Sequence, residues 1–134
     1  MRRHVVHTPK VPPARVPLSQ AIRVGEWVFA SGQLGTDVKT GKLVEGGIAA
    51  ETRQVCENLK SVLEAAESSL DRVVKVTIYM ADLSELMAMN NVFSQYFAVD
   101  PPARTTFQCA GLVGGARVEI EAIATVESRA TESD

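Results

Sequence analysis

Two ionisable residues near the end of the chain have side chains that could do chemistry together. Arg104 stands directly after the Pro-Pro-Ala of residues 101–103 at the start of a strand-like run, and Glu119 opens a second such run. A guanidinium is a rigid fork of donors that binds a carboxylate through two hydrogen bonds and stays charged at any working pH. The two residues therefore suggest a site for a small carboxylate, although spacing alone favours a surface ion pair of Arg104 with Asp100, Glu119 or Glu121.

Other kinds of site find little support in the sequence. His4 and His7 are the only histidines, and no carboxylate cluster has the spacing of metal ligands. Cys56 and Cys109 lie far apart, as is typical of reduced and packed thiols. The glycine-rich segments have neither Walker A nor dinucleotide-binding spacing. We therefore expect no metal, no nucleotide-binding loop and no histidine-activated nucleophile.

Length, charge and hydropathy limit the class of protein. The 134 residues, of which 46% are hydrophobic and 22% charged, suit one domain with its own core. A net charge of −2 offers no basic field for nucleic acid, and no apolar run approaches the roughly 20 residues of a membrane span. Because no signal-peptide pattern is present, we expect a cytoplasmic domain over residues 1–134, with an extended N-terminal arm at 1–12 and a flexible tail at 128–134.

The periodicity of apolar residues predicts the elements that position these side chains. A period of 3.6 residues indicates an amphipathic helix from Ile48 to about Glu67, with Glu51 on its polar side. A second helix follows an Asp82–Glu85 capping box and ends before residue 100. Alternating patterns indicate strands. These are a short edge strand at 4–7, a hairpin over 21–30, a strand over 72–81 and two closing strands over 104–110 and 116–127, with a glycine-rich loop over 32–47.

The order ββ-α-β-α-ββ predicts an α+β fold, a mixed sheet with both helices packed on one face. The pattern places Val74, Val76, Ile78 and Met80 against the helices, together with Val118, Ile120, Ala122, Ala124 and Val126. On the opposite face, Arg117, Glu119 and Glu121 alternate with these apolar residues. That face also carries Ile123, Tyr79 and Thr77, so it is more apolar than solvent requires, and we expect a subunit interface there. If the two closing strands pair as a hairpin, Arg104 and Glu119 lie toward its opposite ends.

A larger pattern spans most of the chain, from about Pro17 to Val126. It consists, in order, of SQAIRVGEWVFASGQLGTD, TGKLVEGG, ETRQVCENLKSVLEAA, DRVVKVTIYMADLSE, NNVFSQYF, PPAR, AGL and VEIE. Together these segments resemble the Rid family, the reactive intermediate deaminases, also called the YjgF or L-PSP family. The resemblance implies a chorismate-mutase-like subunit, a homotrimer with clefts between neighbours, and cofactor-free hydrolysis of enamines or imines such as 2-aminoacrylate and 2-iminopropionate to a 2-keto acid and ammonia.

The same resemblance assigns roles to particular residues. Arg104 matches the arginine that holds the substrate carboxylate, and Glu119 matches the glutamate linked to the attacking water. Ser31 and Gly32 match the Ser-Gly pair that lines the cleft. Asn90 matches the asparagine that begins the family's N..[YF] segment.

Two further positions of the implied pocket depart from the family pattern. Leu18 stands where the family commonly has tyrosine, so the pocket wall is more apolar, and Thr106 stands where many deaminating members have cysteine. These departures leave the substrate open. One alternative is a larger imino or enamino acid such as 2-aminomuconate, and another is a non-catalytic regulatory trimer that binds a small carboxylate. The endoribonuclease or translation-inhibitor activity attached to some relatives is disfavoured by the acidic charge and by the lack of a rigid histidine.

Overall fold

A computed structural model describes residues 1–126 as a six-stranded sheet with two α-helices. The predicted tail at 128–134 lies outside the described residues. Single turns of 3-10 helix occur at Leu70–Arg72, Leu83–Glu85 and Val113–Gly115. The main elements are β1 (Arg3–Val6), β2 (Ala21–Val24), β3 (Trp27–Leu34), α1 (Gly47–Ala65), β4 (Val73–Met80), α2 (Leu86–Tyr96), β5 (Ala103–Gln108) and β6 (Val118–Thr125).

The strand order is β1-β2-β3-β6-β4-β5, and every neighbouring pair is antiparallel except β4 and β5. The last two strands do not pair as a hairpin, because β4 lies between β5 and β6. The chain returns through α2 from the end of β4 to the start of β5, and such a crossover makes neighbouring strands parallel. The mainly exposed β5 becomes an edge, while β6, with every second residue buried, takes a central position.

Both helices pack on one face of the sheet and bury the apolar stripes that the sequence predicts. The predicted stripe of α1 is buried, as are the alternate residues of β6. Each such side chain contributes about 1.5–3 kcal/mol when it is fully buried. The largest fully buried side chains are Leu59, Leu63, Ile78, Met80, Met89 and Ile120. No helix among residues 1–126 is long and apolar enough to cross a membrane.

Three side chains differ from the predicted pattern. Val74 is 41% exposed, because a register shift at the start of β4 gives the core position to Val73. Glu51, expected on the polar side of α1, is only 5% exposed and accepts a hydrogen bond from the Arg117 backbone N–H at 2.9 Å. The Arg117 side chain, expected to face away from the helices, forms ion pairs with Glu51 and Glu85.

The Asp82–Glu85 capping box is also wrong as a start of α2. Asp82 caps the preceding 3-10 turn, where its carboxylate accepts a hydrogen bond from the Ser84 N–H at 2.9 Å. Glu85 does not return the bond to Asp82 but accepts two from the Arg117 guanidinium, at 2.9 and 3.1 Å. The stronger ionic partner determines where the Glu85 side chain points.

The second face of the sheet is open in this chain, and we call it the open face. Its apolar character, predicted from the sequence, is confirmed by the exposed fractions of Trp27 (45%), Phe29 (45%) and Phe107 (42%). Ile123 lies opposite Phe29 in the register of β3 and β6. Large aromatic side chains gathered on one exposed face are typical of a surface that binds another protein.

Candidate functional site

A bulge in β3 builds the first part of the candidate site. The pairing of β3 with β6 shifts register between Ala30 and Gln33, so Ser31 and Gly32 fall outside the regular ladder. Ser31 fastens the bulge to the loop before β2, since its Oγ donates to the Ser19 carbonyl at 2.6 Å and its N–H donates to the Gln20 carbonyl at 3.0 Å. Bulges of this kind re-aim side chains beside functional sites.

The carboxylate of Glu119 lies directly over Gly32. A Cβ atom at position 32 would overlap Glu119 Oε2 and come within 2.9 Å of Glu119 Cδ, so only glycine permits this approach. Burial raises the pKa of the Glu119 carboxyl above its ordinary value, and the negative charge of Glu121 raises it further. A carboxyl group with a raised pKa is suited to transfer protons near neutral pH.

Leu18 lies beside Gly32. The two residues line a shallow cavity of about 150 Å³, whose apolar wall is completed by Pro12, Ala14 and Leu34. Leu18 is 50% exposed, so its side chain is available to a ligand or to another chain. Four of the predicted residues therefore lie together. We call them the glutamate half-site: Leu18, Ser31, Gly32 and Glu119.

Arg104 occupies a different place, between the β5 edge and α2. Its guanidinium carbon lies 5.3 Å from the centroid of the Phe93 ring, a cation–π contact that orients the planar group. Arg104 also lines a cavity of about 440 Å³ with Asn90, Pro101 and Pro102. It forms no ion pair with Asp100, Glu119 or Glu121, so the surface ion pair that spacing favours is absent among these groups.

Two polar atoms near Arg104 lack partners. Asn90 Oδ1 and Thr106 Oγ1 are buried without a hydrogen bond in the described part of the chain. Such atoms are costly unless something else satisfies them, which makes this a place where a further partner is expected. We call these three residues the arginine half-site: Asn90, Arg104 and Thr106.

The sheet separates the two half-sites. Arg104 pairs in register with Val76, whose side chain is buried beneath the helices, and Glu119 pairs with Tyr79. Tyr79 lies on the open face, where its ring meets that of Phe107 at 5.2 Å between centroids. Since side chains on one face share the register, Arg104 and Glu119 project to opposite faces. One chain alone does not assemble the predicted site.

Sequence reasoning missed three contributors. Tyr79 and Glu121 flank Glu119 on the open face, and Phe93 of α2 supports Arg104. The Tyr79 hydroxyl donates to Glu121 Oε1 at 2.6 Å. That hydrogen bond, with burial, raises the pKa of Tyr79 to about 12. The alternation of VEIE was the available signal, since it places Glu121 beside Glu119.

Other features of residues 1–126 offer no competing chemistry. They contain no group of three histidine, cysteine, aspartate or glutamate side chains that could hold a metal ion. Burial raises the pKa of Cys56 to about 12, so its thiol is not a nucleophile. A large cavity near the N-terminus, about 700 Å³, is lined by His4, His7 and Arg23 and lies apart from both half-sites. Arg23 is engaged there by Glu67.

Comparison with known protein families identifies the family of this chain. The family described as Endoribonuclease L-PSP matches residues 8–126. The chain belongs to the Rid (L-PSP) family. A RutC family protein of Pyrococcus abyssi is 43% identical over 127 residues, which are 95% of this chain and 100% of that protein.

Two further Rid relatives connect the sequence with a named activity and with a solved fold. A goat protein named 2-iminobutanoate/2-iminopropanoate deaminase is 44% identical over 122 residues, 91% of this chain and 89% of its own. The crystal structure of RidA from an Antarctic Psychrobacter species matches with a TM-score of 0.88 and 42% identity, covering 92% of this chain and 99% of that one. The predicted α+β fold is thereby confirmed.

Proposed function

We propose that this Rid protein hydrolyses imines and enamines derived from small 2-amino acids, and releases a 2-keto acid and ammonia. The observation that carries the proposal is the Glu119 carboxylate, half-buried over Gly32 with a raised pKa, in a chain that also presents an oriented Arg104. Relatives that are 42–44% identical are named 2-iminobutanoate/2-iminopropanoate deaminase.

The proposed site forms between copies of the chain. The two half-sites lie on opposite faces of the sheet, and the open face carries aromatic side chains that are 42–45% exposed. Self-association through the open face buries these side chains and places the arginine half-site of one copy against the glutamate half-site of its neighbour. A closed ring of three copies supplies three such clefts.

In this cleft, Arg104 binds the substrate carboxylate through two charge-assisted hydrogen bonds. The Phe93 ring keeps the guanidinium plane fixed, so little entropy is lost on binding. The Asn90 and Thr106 oxygen atoms, which lack partners within residues 1–126, supply polar contacts for the substrate or the neighbouring copy. Leu18 provides an apolar wall for the substrate side chain. A side chain larger than methyl, as in the alternative substrate 2-aminomuconate, would meet the same wall.

The reaction needs a water molecule and one group that moves a proton. The water oxygen bonds to C2 of the protonated imine, and its proton passes to the Glu119 carboxylate, which leaves a carbon that bears both a hydroxyl and an amino group. Glu119 returns the proton to the nitrogen, the C–N bond breaks, and the hydroxyl oxygen becomes the keto oxygen. The hydroxyl proton leaves with the ammonia as ammonium, so atoms and charge balance.

Orientation and proton transfer suffice for this chemistry. Holding the reactants in place supplies roughly 7–11 kcal/mol at best. A positioned proton acceptor contributes a factor of about 100 to 10,000 in rate. An imine is already electrophilic, and the proposed reaction therefore requires no histidine and no cofactor.

The variant Arg104→Ala tests the proposal. Each charge-assisted hydrogen bond contributes about 1.5–3 kcal/mol, so losing two lowers kcat/KM by roughly a hundredfold to ten-thousandfold. The assay follows clearance of 2-iminopropionate that an amino-acid oxidase generates from alanine. Arg104→Lys is the matched control, because it keeps the positive charge but not the two-pronged donor. Its kcat/KM should lie between those of wild type and Arg104→Ala.

An Arg104→Ala protein that clears the imine like wild type contradicts the proposed function. Binding of a 2-keto acid without turnover by wild type would instead favour the regulatory trimer.

A further inference from the structure

A second carboxylate shares the open face with Glu119. Glu121 follows two residues later on β6, which places the two Cα atoms about 6.8 Å apart on one face of the strand. Tyr79 on β4 lies opposite Glu119 in register, but its hydroxyl reaches diagonally to Glu121 Oε1 at 2.6 Å. This short bond fixes the Glu121 carboxylate beside the proposed proton acceptor.

The charged neighbours of this carboxylate pair are few in the described part of the chain. From β4, Lys75 lines a small cavity with Glu121, Thr77 and Ile123. From β5, Phe107 adds only its ring against Tyr79. From β3, the backbone of Gly32 and the apolar Leu34, which lies opposite Glu119 in register, complete the surroundings. Arg117, the residue before β6, forms ion pairs with Glu51 and Glu85 on the helix side of the sheet.

We propose that Glu121, held by the Tyr79 hydroxyl, is a positioning residue for Glu119, because it keeps a fixed negative charge beside the group that accepts the proton of the attacking water. The inference rests on the proposed function. Glu121 itself contacts neither water nor substrate in this scheme, and acts only through Glu119. Tyr79 serves to hold the Glu121 carboxylate in one orientation beside Glu119.

The negative charge of Glu121 changes the pKa of Glu119 in a defined direction. The Tyr79 hydroxyl donates to Glu121 Oε1 and so fixes the position of that carboxylate. The charge of Glu121 acts with burial to raise the pKa of Glu119. A carboxylate with a raised pKa is a stronger base, and it stays ionised only at a pH above that pKa. Removal of the Glu121 charge therefore makes Glu119 a weaker base that ionises at lower pH.

The test is the pH profile of kcat/KM for the full-length protein, with 2-iminopropionate generated in place. In Glu121→Gln, the acid limb of the profile moves to lower pH and the plateau falls several-fold. In Tyr79→Phe, where Glu121 loses the hydrogen bond that holds its carboxylate beside Glu119, the limb moves the same way by a smaller amount. Glu64→Gln removes an equal charge from the exposed outer side of α1, and its profile coincides with that of wild type. A merely structural role of Glu121 would lower activity without moving the limb.

A second measurement does not depend on turnover. Carbon-13 NMR follows the titration of the Glu119 carboxyl carbon, assigned by its disappearance in Glu119→Gln. The titration should move to lower pH in Glu121→Gln, and an unchanged Glu119 titration overturns the inference.

If wild type deaminates the imine while Glu121→Gln shows an unmoved acid limb, the inference fails and the proposed function stands. If wild type does not deaminate it, the proposed function fails and the NMR titration alone decides whether Glu121 acts on Glu119. Should Glu121→Gln not fold, Tyr79→Phe, which removes only one oxygen, takes its place in both measurements.

Discussion

Glu119 illustrates how a residue suited to chemistry weakens the fold that holds it. Its pKa is raised by burial and by Glu121, so the folded state binds a proton at this carboxyl more tightly than the unfolded state does. The resulting loss of stability is absent below the unfolded pKa, grows as the pH rises, and is complete above the folded pKa. At neutral pH, the ionised Glu119 carboxylate therefore lowers the free energy of unfolding.

The first prediction concerns Glu119→Gln, which keeps the shape of the side chain and removes its charge. Its Tm should exceed that of wild type at neutral pH, and the gain should disappear below a pH of about 4. Activity should fall by about a hundredfold or more. Scanning calorimetry at the two pH values, with the deaminase assay, checks both parts. A variant that is less stable than wild type at neutral pH contradicts the account of this carboxyl.

The second prediction concerns the space over Gly32. Gly32→Ala places a Cβ atom against the Glu119 carboxylate, which must move away. We expect kcat to fall by about tenfold or more while KM changes little, since Arg104 still binds the substrate carboxylate. Gly111→Ala is the matched control, because a Cβ at position 111 meets no atom within 4 Å. Equal kcat for the two variants would argue against the placement of Glu119.

At the scale of elements, the start of α1 is tied to the start of β6. The buried Glu51 accepts the Arg117 backbone N–H at 2.9 Å, two residues before Glu119. Gly35, after the end of β3, allows this close packing, because a Cβ there would come within 2.8 Å of Glu51 Cα. This contact sets the position of β6 along its own axis relative to α1, and it thereby sets the position of Glu119 in the glutamate half-site.

The third prediction follows from this contact. Glu51→Ala leaves a partly buried N–H without its acceptor and should lower the free energy of unfolding by about 1–3 kcal/mol. Glu64→Ala, on the exposed side of the same helix, should change it by less than about 0.5 kcal/mol. Urea unfolding measures both values. Equal stability of the two variants would show that the Glu51 contact does not hold α1 to β6.

The elements themselves were predictable from the sequence because their signals are local. A period of 3.6 marks α1, and strict alternation marks β6, whatever the rest of the chain does. The neighbour of β6 was not predictable in this way. Which strand pairs with it depends on the crossover through α2 and on competition among strands for a central position. The bulge at Ser31 and Gly32 carries no periodic signal either, and its place in the site came only from the family resemblance.

The pairing of the strands also limited how far the arrangement of the site could be predicted from the sequence. The pattern supplied Arg104 and Glu119 as candidates, but their projection to opposite faces follows from the register of β4 with β5 and with β6. Tyr79 was assigned to the correct face, yet its diagonal bond to Glu121 is a matter of side-chain geometry rather than of pattern. Residue type predicted the chemistry, while topology determined where each group stands.

At the scale of the whole molecule, the open face and the divided site have one explanation. A face that exposes Trp27, Phe29 and Phe107 to solvent is unfavourable, and covering it with further copies removes that apolar area from water. The same assembly would bring together two half-sites that a single chain holds apart. Activity and assembly are therefore coupled in our account.

Mixing two inactive variants tests this central claim most directly. Arg104→Ala and Glu119→Gln are each purified, unfolded and refolded together at equal concentration, so that copies assort at random. A cleft is intact when its arginine half-site comes from a Glu119→Gln chain and its glutamate half-site from an Arg104→Ala chain. We predict recovery of about a quarter of the activity of wild type refolded in the same way. A mixture as inactive as either variant refolded alone would contradict a site shared between copies.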